Sequence, residues 1–136
     1  MRVDPYLLFN GNCEEAFKTY AELFGGKIIA MLPHEGSPAE SQTPPEWRKK
    51  ILHARLDIGD RMILASDAPP GRQAPMSGFA VTLDVPSVGE AERVFAGLSK
   101  GGKATMQPQE TFFAKSFAMV TDRFGVPWMI ICPKQG

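Results

Sequence analysis

Two stretches of this chain share one pattern, and the pattern fixes how the rest can be arranged. Glu15-Ala16-Phe17-Lys18-Thr19-Tyr20-Ala21-Glu22-Leu23-Phe24-Gly25-Gly26-Lys27 matches Glu90-Ala91-Glu92-Arg93-Val94-Phe95-Ala96-Gly97-Leu98-Ser99-Lys100-Gly101-Gly102-Lys103 with one inserted residue. Each is amphipathic at helical spacing. Cys13, Ala16, Phe17, Tyr20, Leu23 and Phe24 line one face of the first helix, and Ala91, Val94, Phe95 and Leu98 that of the second. Asn12 with Glu15, and Ser87 with Glu90, have the spacing of a capping box, and each Gly-Gly pair supplies the left-handed residue that ends a helix. The common position in each half argues for an internal duplication with a period of about 75 residues.

Strand-like runs surround both helices. The first half offers residues 5–9, 27–32, 51–58 and 61–66, the last two joined by the tight Gly59-Asp60 turn. The second offers 79–85, 103–106, 113–121 and 126–132. Each half therefore reads strand, helix, strand, strand, strand. The expected fold is α+β, with a first module over about 1–67, a linker over 68–76 rich in Pro and Gly, and a second module over about 77–136. One four-stranded unit with one helix hardly buries both sheet faces, so the halves are read as modules of one domain. Between the second and third strands of the first half, residues 33–46 form a long, polar, mobile loop, which serves as a lid or binding loop or is a tolerated insertion.

The 136 residues suffice for one compact core without disulfide or metal staples. Fifteen basic residues balance fifteen acidic ones, so no basic stripe exists to neutralise phosphates, and nucleic acid is not an expected partner. No apolar run approaches the ~20 residues of a membrane helix, and residues 1–10 lack the pattern of a secretion signal. The two cysteines, Cys13 and Cys132, read as buried thiols of a cytoplasmic protein.

The motifs of phosphate loops, dinucleotide turns, CxxC or HExxH metal sites and Gly-x-Ser-x-Gly elbows are all missing. What remains are polar residues on apolar strands. Alternation puts His53, Arg55 and Asp57 on one face of their strand, and His53 is either a hydrogen-bonded strand histidine or a ligand contact. Ser66 can line a cleft at a strand end. Gln109-Glu110-Thr111-Phe112-Phe113-Ala114-Lys115 sets an acid, a base and two aromatics in one extended segment, a combination suited to a pocket wall. Methionines spread over several strands, Met129 among them, suit an adaptable apolar cavity or ordinary core packing.

Several segments together resemble PhnB-like proteins of the vicinal oxygen chelate superfamily, which groups glyoxalase I, bleomycin resistance proteins and extradiol dioxygenases. They are Pro5-Tyr6-Leu7-Leu8-Phe9-Asn10-Gly11-Asn12-Cys13-Glu14-Glu15-Ala16, Ile51-Leu52-His53-Ala54-Arg55-Leu56, Met62-Ile63-Leu64-Ala65-Ser66-Asp67, the Gln109 to Lys115 cluster and Val120-Thr121-Asp122-Arg123-Phe124-Gly125-Val126-Pro127-Trp128-Met129-Ile130. The resemblance implies two paired βαβββ modules forming a curved eight-stranded mixed sheet around a cleft, commonly in a homodimer. Superfamily enzymes hold a divalent metal with side chains from the first and last strand of each module. The matching positions here fall at Pro5, near Leu64, within Phe79-Ala80-Val81-Thr82-Leu83 and at about Met129, which offer no suitable donor set. The expectation is a metal-free, cofactor-free small-molecule-binding protein with His53, Glu110, Ser66, Lys115, Phe112 and Met129 as ligand contacts. Two alternatives stand beside it: a lyase or isomerase using His53 and Glu110 as acid and base, and a ubiquinone-pathway methyltransferase, as relatives are sometimes named. The latter requires an S-adenosylmethionine loop that the sequence lacks.

Overall fold

A computed structural model describes residues 1–134. The order of elements is β1 (Tyr6–Phe9), α1 (Cys13–Phe24), β2 (Lys27–Pro33), β3 (Ile51–Ile58), β4 (Arg61–Asp67), β5 (Val81–Asp84), α2 (Val88–Ser99), β6 (Lys103–Gln109), β7 (Ala114–Thr121) and β8 (Pro127–Pro133). The chain divides into two compact units, Met1–Ala74 and the remainder from Pro75.

In the first unit the strand order is β1-β4-β3-β2, with β1 parallel to β4 and the other pairs antiparallel. The second unit repeats this order as β5-β8-β7-β6, again with one parallel pair, β5 with β8. Two mixed four-stranded sheets, each with one helix, make this the α+β glyoxalase-like arrangement of βαβββ modules expected from the sequence.

Period-two alternation decides which face each helix covers. In the first sheet Leu7, Phe9, Ala54, Leu56, Ile63 and Ala65 are buried against α1, which contributes Cys13, Ala16, Phe17 and Tyr20. Phe17 meets Phe9 edge-on with ring centroids 6.4 Å apart and Tyr20 at a tilt with centroids 6.3 Å apart. Each such ring contributes on the order of 1.5–3 kcal/mol through burial. In the second sheet Ala118, Val120, Trp128, Ile130 and Cys132 are buried, as are Ala91, Val94 and Leu98 of α2.

The shared Gly-Gly-Lys has one geometric cause in both units. Gly25 (φ 70°) ends α1 in the left-handed conformation, and Gly101 (φ 74°) adopts the same conformation just beyond α2. The second glycine of each pair presses on backbone. A Cβ on Gly26 would lie 2.8 Å from the Asp57 carbonyl oxygen, and one on Gly102 would overlap that of Thr121. Both glycines let a helix turn directly into the edge strand of its own sheet.

The helix starts differ from the sequence expectation. Ser87 caps α2, its hydroxyl accepting from the Glu90 N–H at 3.1 Å. Asn12 makes no side-chain cap, and its buried Oδ1 is without a hydrogen-bond partner. A carboxylate from β4 replaces it: Asp67 Oδ1 accepts from the N–H groups of Gly11 (2.9 Å) and Cys13 (3.0 Å).

Candidate functional site

Hydrogen bonds run through the segment between β2 and β3, whose composition suggests a mobile loop. The N–H groups of His34 and Glu35 donate to the carbonyls of Lys50 and Arg48, closing the base of the loop. Inside it, Ser37 Oγ donates to the His34 carbonyl at 2.6 Å and accepts from the Ala39 N–H, Glu40 accepts from the Gly36 N–H, and Thr43 Oγ1 donates to the Ala39 carbonyl. Two 3-10 turns, Glu40–Gln42 and Pro45–Trp47, shape its outer part. The chain then re-enters β3 through a register shift, in which Leu32 pairs with His53 but Pro33 with Ile51. That irregularity frees Leu52 from strict alternation.

Between this loop and the end of β4 lies an open cleft of about 470 Å³, formed wholly within the first unit. Trp47, Leu52 and Pro44 give it apolar wall, and His34, Ser66 and Arg72 give it polar groups. His34 is only 7% exposed, with Nδ1 2.9 Å from the Lys50 carbonyl oxygen. Asp67 forms the floor. Its Oδ2 accepts from the Ile51 N–H at 2.8 Å while Oδ1 holds the start of α1, so one 2%-exposed carboxylate ties β4, β3 and α1 together. Lys50 Nζ donates to the Gly11 carbonyl at 2.8 Å and completes this anchor.

Of the residues singled out from sequence, Ser66 lines this cleft. His53 lies on the sheet face away from α1, half-buried, its Nδ1 3.2 Å from the Tyr6 hydroxyl with ring centroids 5.8 Å apart. The other four belong to the second unit. Met129 sits opposite Met119 and Thr82, and Met119 opposite Met106, giving a row of methionines across the face away from α2. Glu110 is paired with Lys134 at 3.1 Å with its side chain 70% exposed, and Lys115 is exposed on β7.

The stretch expected to be extended between Gln109 and Lys115 is a turn. β6 ends at Gln109 and β7 begins at Ala114, because Thr111 Oγ1 accepts from the N–H groups of Phe113 and Ala114 and reverses the chain. Phe112 at its tip is 91% exposed and meets Phe113 edge-on at 5.3 Å, and Phe113 meets Phe117 likewise.

Sequence reasoning passed over His34, Tyr6, Trp47 and Asp67 as site residues. Only His34 carried a signal, as one of two histidines beside a long loop.

The fold family implies a divalent metal, and the residues present do not fit one. Leu64 lies opposite Tyr6, Met129 lies in the methionine row, and Val81-Thr82-Leu83 supplies no carboxylate or imidazole. Among the described residues no three His, Cys, Asp or Glu side chains converge. Nor, among them, is any helix long and apolar enough to cross a membrane.

Comparison with known proteins agrees with this architecture. The chain is 38% identical over 143 residues to protein YjdN of Escherichia coli K12, covering 99% of this chain and 97% of that one. Among solved structures it resembles protein PA1353 from Pseudomonas aeruginosa, with 45% identity, a TM-score of 0.90 and 99% of each chain covered. It also resembles a Bacillus cereus protein described as a putative 3-demethylubiquinone-9 3-methyltransferase, PhnB protein, at 19% identity and a TM-score of 0.81, over 97% of this chain and 99% of that one. Residues 2–130 match the family described as Glyoxalase/Bleomycin resistance protein/Dioxygenase superfamily, and the chain belongs to that superfamily.

Proposed function

We propose that this chain is a metal-independent small-molecule-binding protein whose ligand enters the cleft of the first unit. The observation that carries the reading is the cleft's composition: about 470 Å³, mostly apolar wall, with a few polar groups at His34, Ser66 and Arg72. Binding sites for small molecules combine these features. His53 with Tyr6, and Met129 in its row, are further ligand contacts on the sheet faces away from the helices. The homodimer implied by the family resemblance belongs to the same reading, and sedimentation equilibrium should return twice the 14.9 kDa chain mass.

Chemical-shift mapping tests the site. On a ¹⁵N-labelled sample, a panel of small aromatic and aliphatic carboxylates should perturb amides in 34–52 and 66–72. Perturbations confined to other surfaces would overturn the assignment.

A lyase or isomerase reading has one observation in its favour, the hydrogen-bonded His53–Tyr6 pair. Its proposed partner acid is poorly suited, since Glu110 is exposed and engaged by Lys134. The methyltransferase name attached to the Bacillus cereus neighbour comes at 19% identity, where likeness carries the fold alone.

A further inference from the structure

We propose that His34 is the recognition residue of the first unit's cleft, and that the ligand is a small carboxylate bearing a hydroxyl or amino hydrogen-bond donor. The inference rests on the cleft being a binding site, and adds what the site selects.

One nitrogen of the His34 ring is committed to the fold. A carbonyl oxygen only accepts, so Nδ1, 2.9 Å from the Lys50 carbonyl, must carry its hydrogen. In the neutral ring Nε2 then holds the lone pair, and it is the ring nitrogen left to serve the cleft that His34 lines. Backbone bonds fix the ring's position: the His34 N–H also reaches the Lys50 carbonyl, and the His34 carbonyl accepts from both the N–H and the hydroxyl of Ser37. An acceptor held this rigidly in a residue only 7% exposed is preorganised, so a ligand donor meets it at little entropic cost.

The other polar groups complete the selection. Asp67 already accepts from three backbone N–H groups, two at Oδ1 and one at Oδ2, and is committed to the fold. Arg72, on the turn after β4, is exposed, forms no ion pair with any described residue and is among the residues that line the cleft. Guanidinium favours carboxylate through paired N–H···O bonds. One fixed acceptor and one cation, set among Trp47, Leu52 and Pro44, therefore call for a donor and an anionic group on a compact apolar frame.

The experiment uses the full chain and a matched probe set: 3-hydroxybenzoate and 3-aminobenzoate, which carry the donor, against benzoate and 3-methoxybenzoate, which do not. Dissociation constants come from chemical-shift titration. The donor-bearing probes should bind about tenfold more tightly than the controls, the worth of one well-formed hydrogen bond. His34→Asn keeps an amide N–H where Nδ1 stands and so preserves the Lys50 bond, but has no counterpart of Nε2. In that variant the tenfold preference should shrink to less than about twofold. Arg72→Gln should weaken all four probes together and leave the preference intact.

Equal affinity of the four probes for the wild-type cleft would overturn the role of His34 while leaving the cleft as a site. An equal loss for all four in His34→Asn would do the same. Failure of every probe to perturb 34–52 or 66–72 would remove both this inference and the binding reading beneath it. Because the probe comparison is made on the wild-type protein, it decides the matter even if His34→Asn fails to fold.

Discussion

Replacing Asp67 by asparagine probes the joint on which the first unit depends. The carboxylate accepts three backbone N–H bonds at 2.9, 3.0 and 2.8 Å, two at Oδ1 and one at Oδ2. Asparagine has nearly the same shape, but only one of its terminal atoms accepts. If its oxygen stays with Gly11 and Cys13, its NH₂ confronts the Ile51 N–H, a donor facing a donor. That buried N–H loses its partner, at about 1–3 kcal/mol, and the two surviving bonds lose their charge assistance. The sum is about 3 kcal/mol, a large fraction of the 5–15 kcal/mol typical of a folded domain. For a chain of this length it corresponds to a fall in Tm of about 10 °C. Thermal and urea unfolding followed by circular dichroism measure it, and Asp67→Ala, which leaves three N–H groups unpaired, should be worse. A loss below about 1 kcal/mol in Asp67→Asn would show that Asp67 is not the joint, because three bonds to one carboxylate, two of them buried, cannot be that easily spared.

Three further outcomes follow from the same geometry. Ser87→Ala should cost about 1 kcal/mol of stability by urea unfolding, whereas Asn12→Ala should be nearly neutral, since Asp67 rather than Asn12 caps α1. Gly102→Ala should destabilise by about 3 kcal/mol because its Cβ would overlap the Thr121 carbonyl and sit 2.9 Å from Asp122 Cα, while Gly89→Ala, with open space around it, should be neutral or stabilising in the same assay. Burial, helped by the nearby charges of Asp67 and Glu14, pushes the Cys13 thiol up to about 12. At pH 8 it should therefore resist iodoacetamide, as read by mass spectrometry. Because the unfolded thiol ionises first, this contribution to stability is complete below about pH 9 and is lost as pH rises through about 12.

The fold was legible in the sequence because its signals are local. Helical spacing, period-two alternation and the Gly-Gly-Lys endings each operate within a few residues, and the repeated unit doubled the signal. Most of the site was not legible, because its bonds join residues far apart. His34 is defined by the Lys50 carbonyl that the loop brings back to it, and Asp67 by N–H groups on α1 and β3. The same distance effect explains the failed expectation at Asn12, where a local capping signal gave way to a carboxylate from another strand. Thr111 shows the reverse case. A single hydroxyl turned a stretch that looks extended into a hairpin turn and carried Phe112 to its tip.

Metal content tests the proposed metal-independent binding. Elemental mass spectrometry should be run on protein purified without chelator or metal-affinity resin, alongside melting curves with added Ni²⁺, Zn²⁺, Mn²⁺ and Fe²⁺. Far less than one metal per chain and no metal-dependent rise in Tm are expected. Near-stoichiometric metal, or a thermal shift that disappears in His53→Ala, would contradict it.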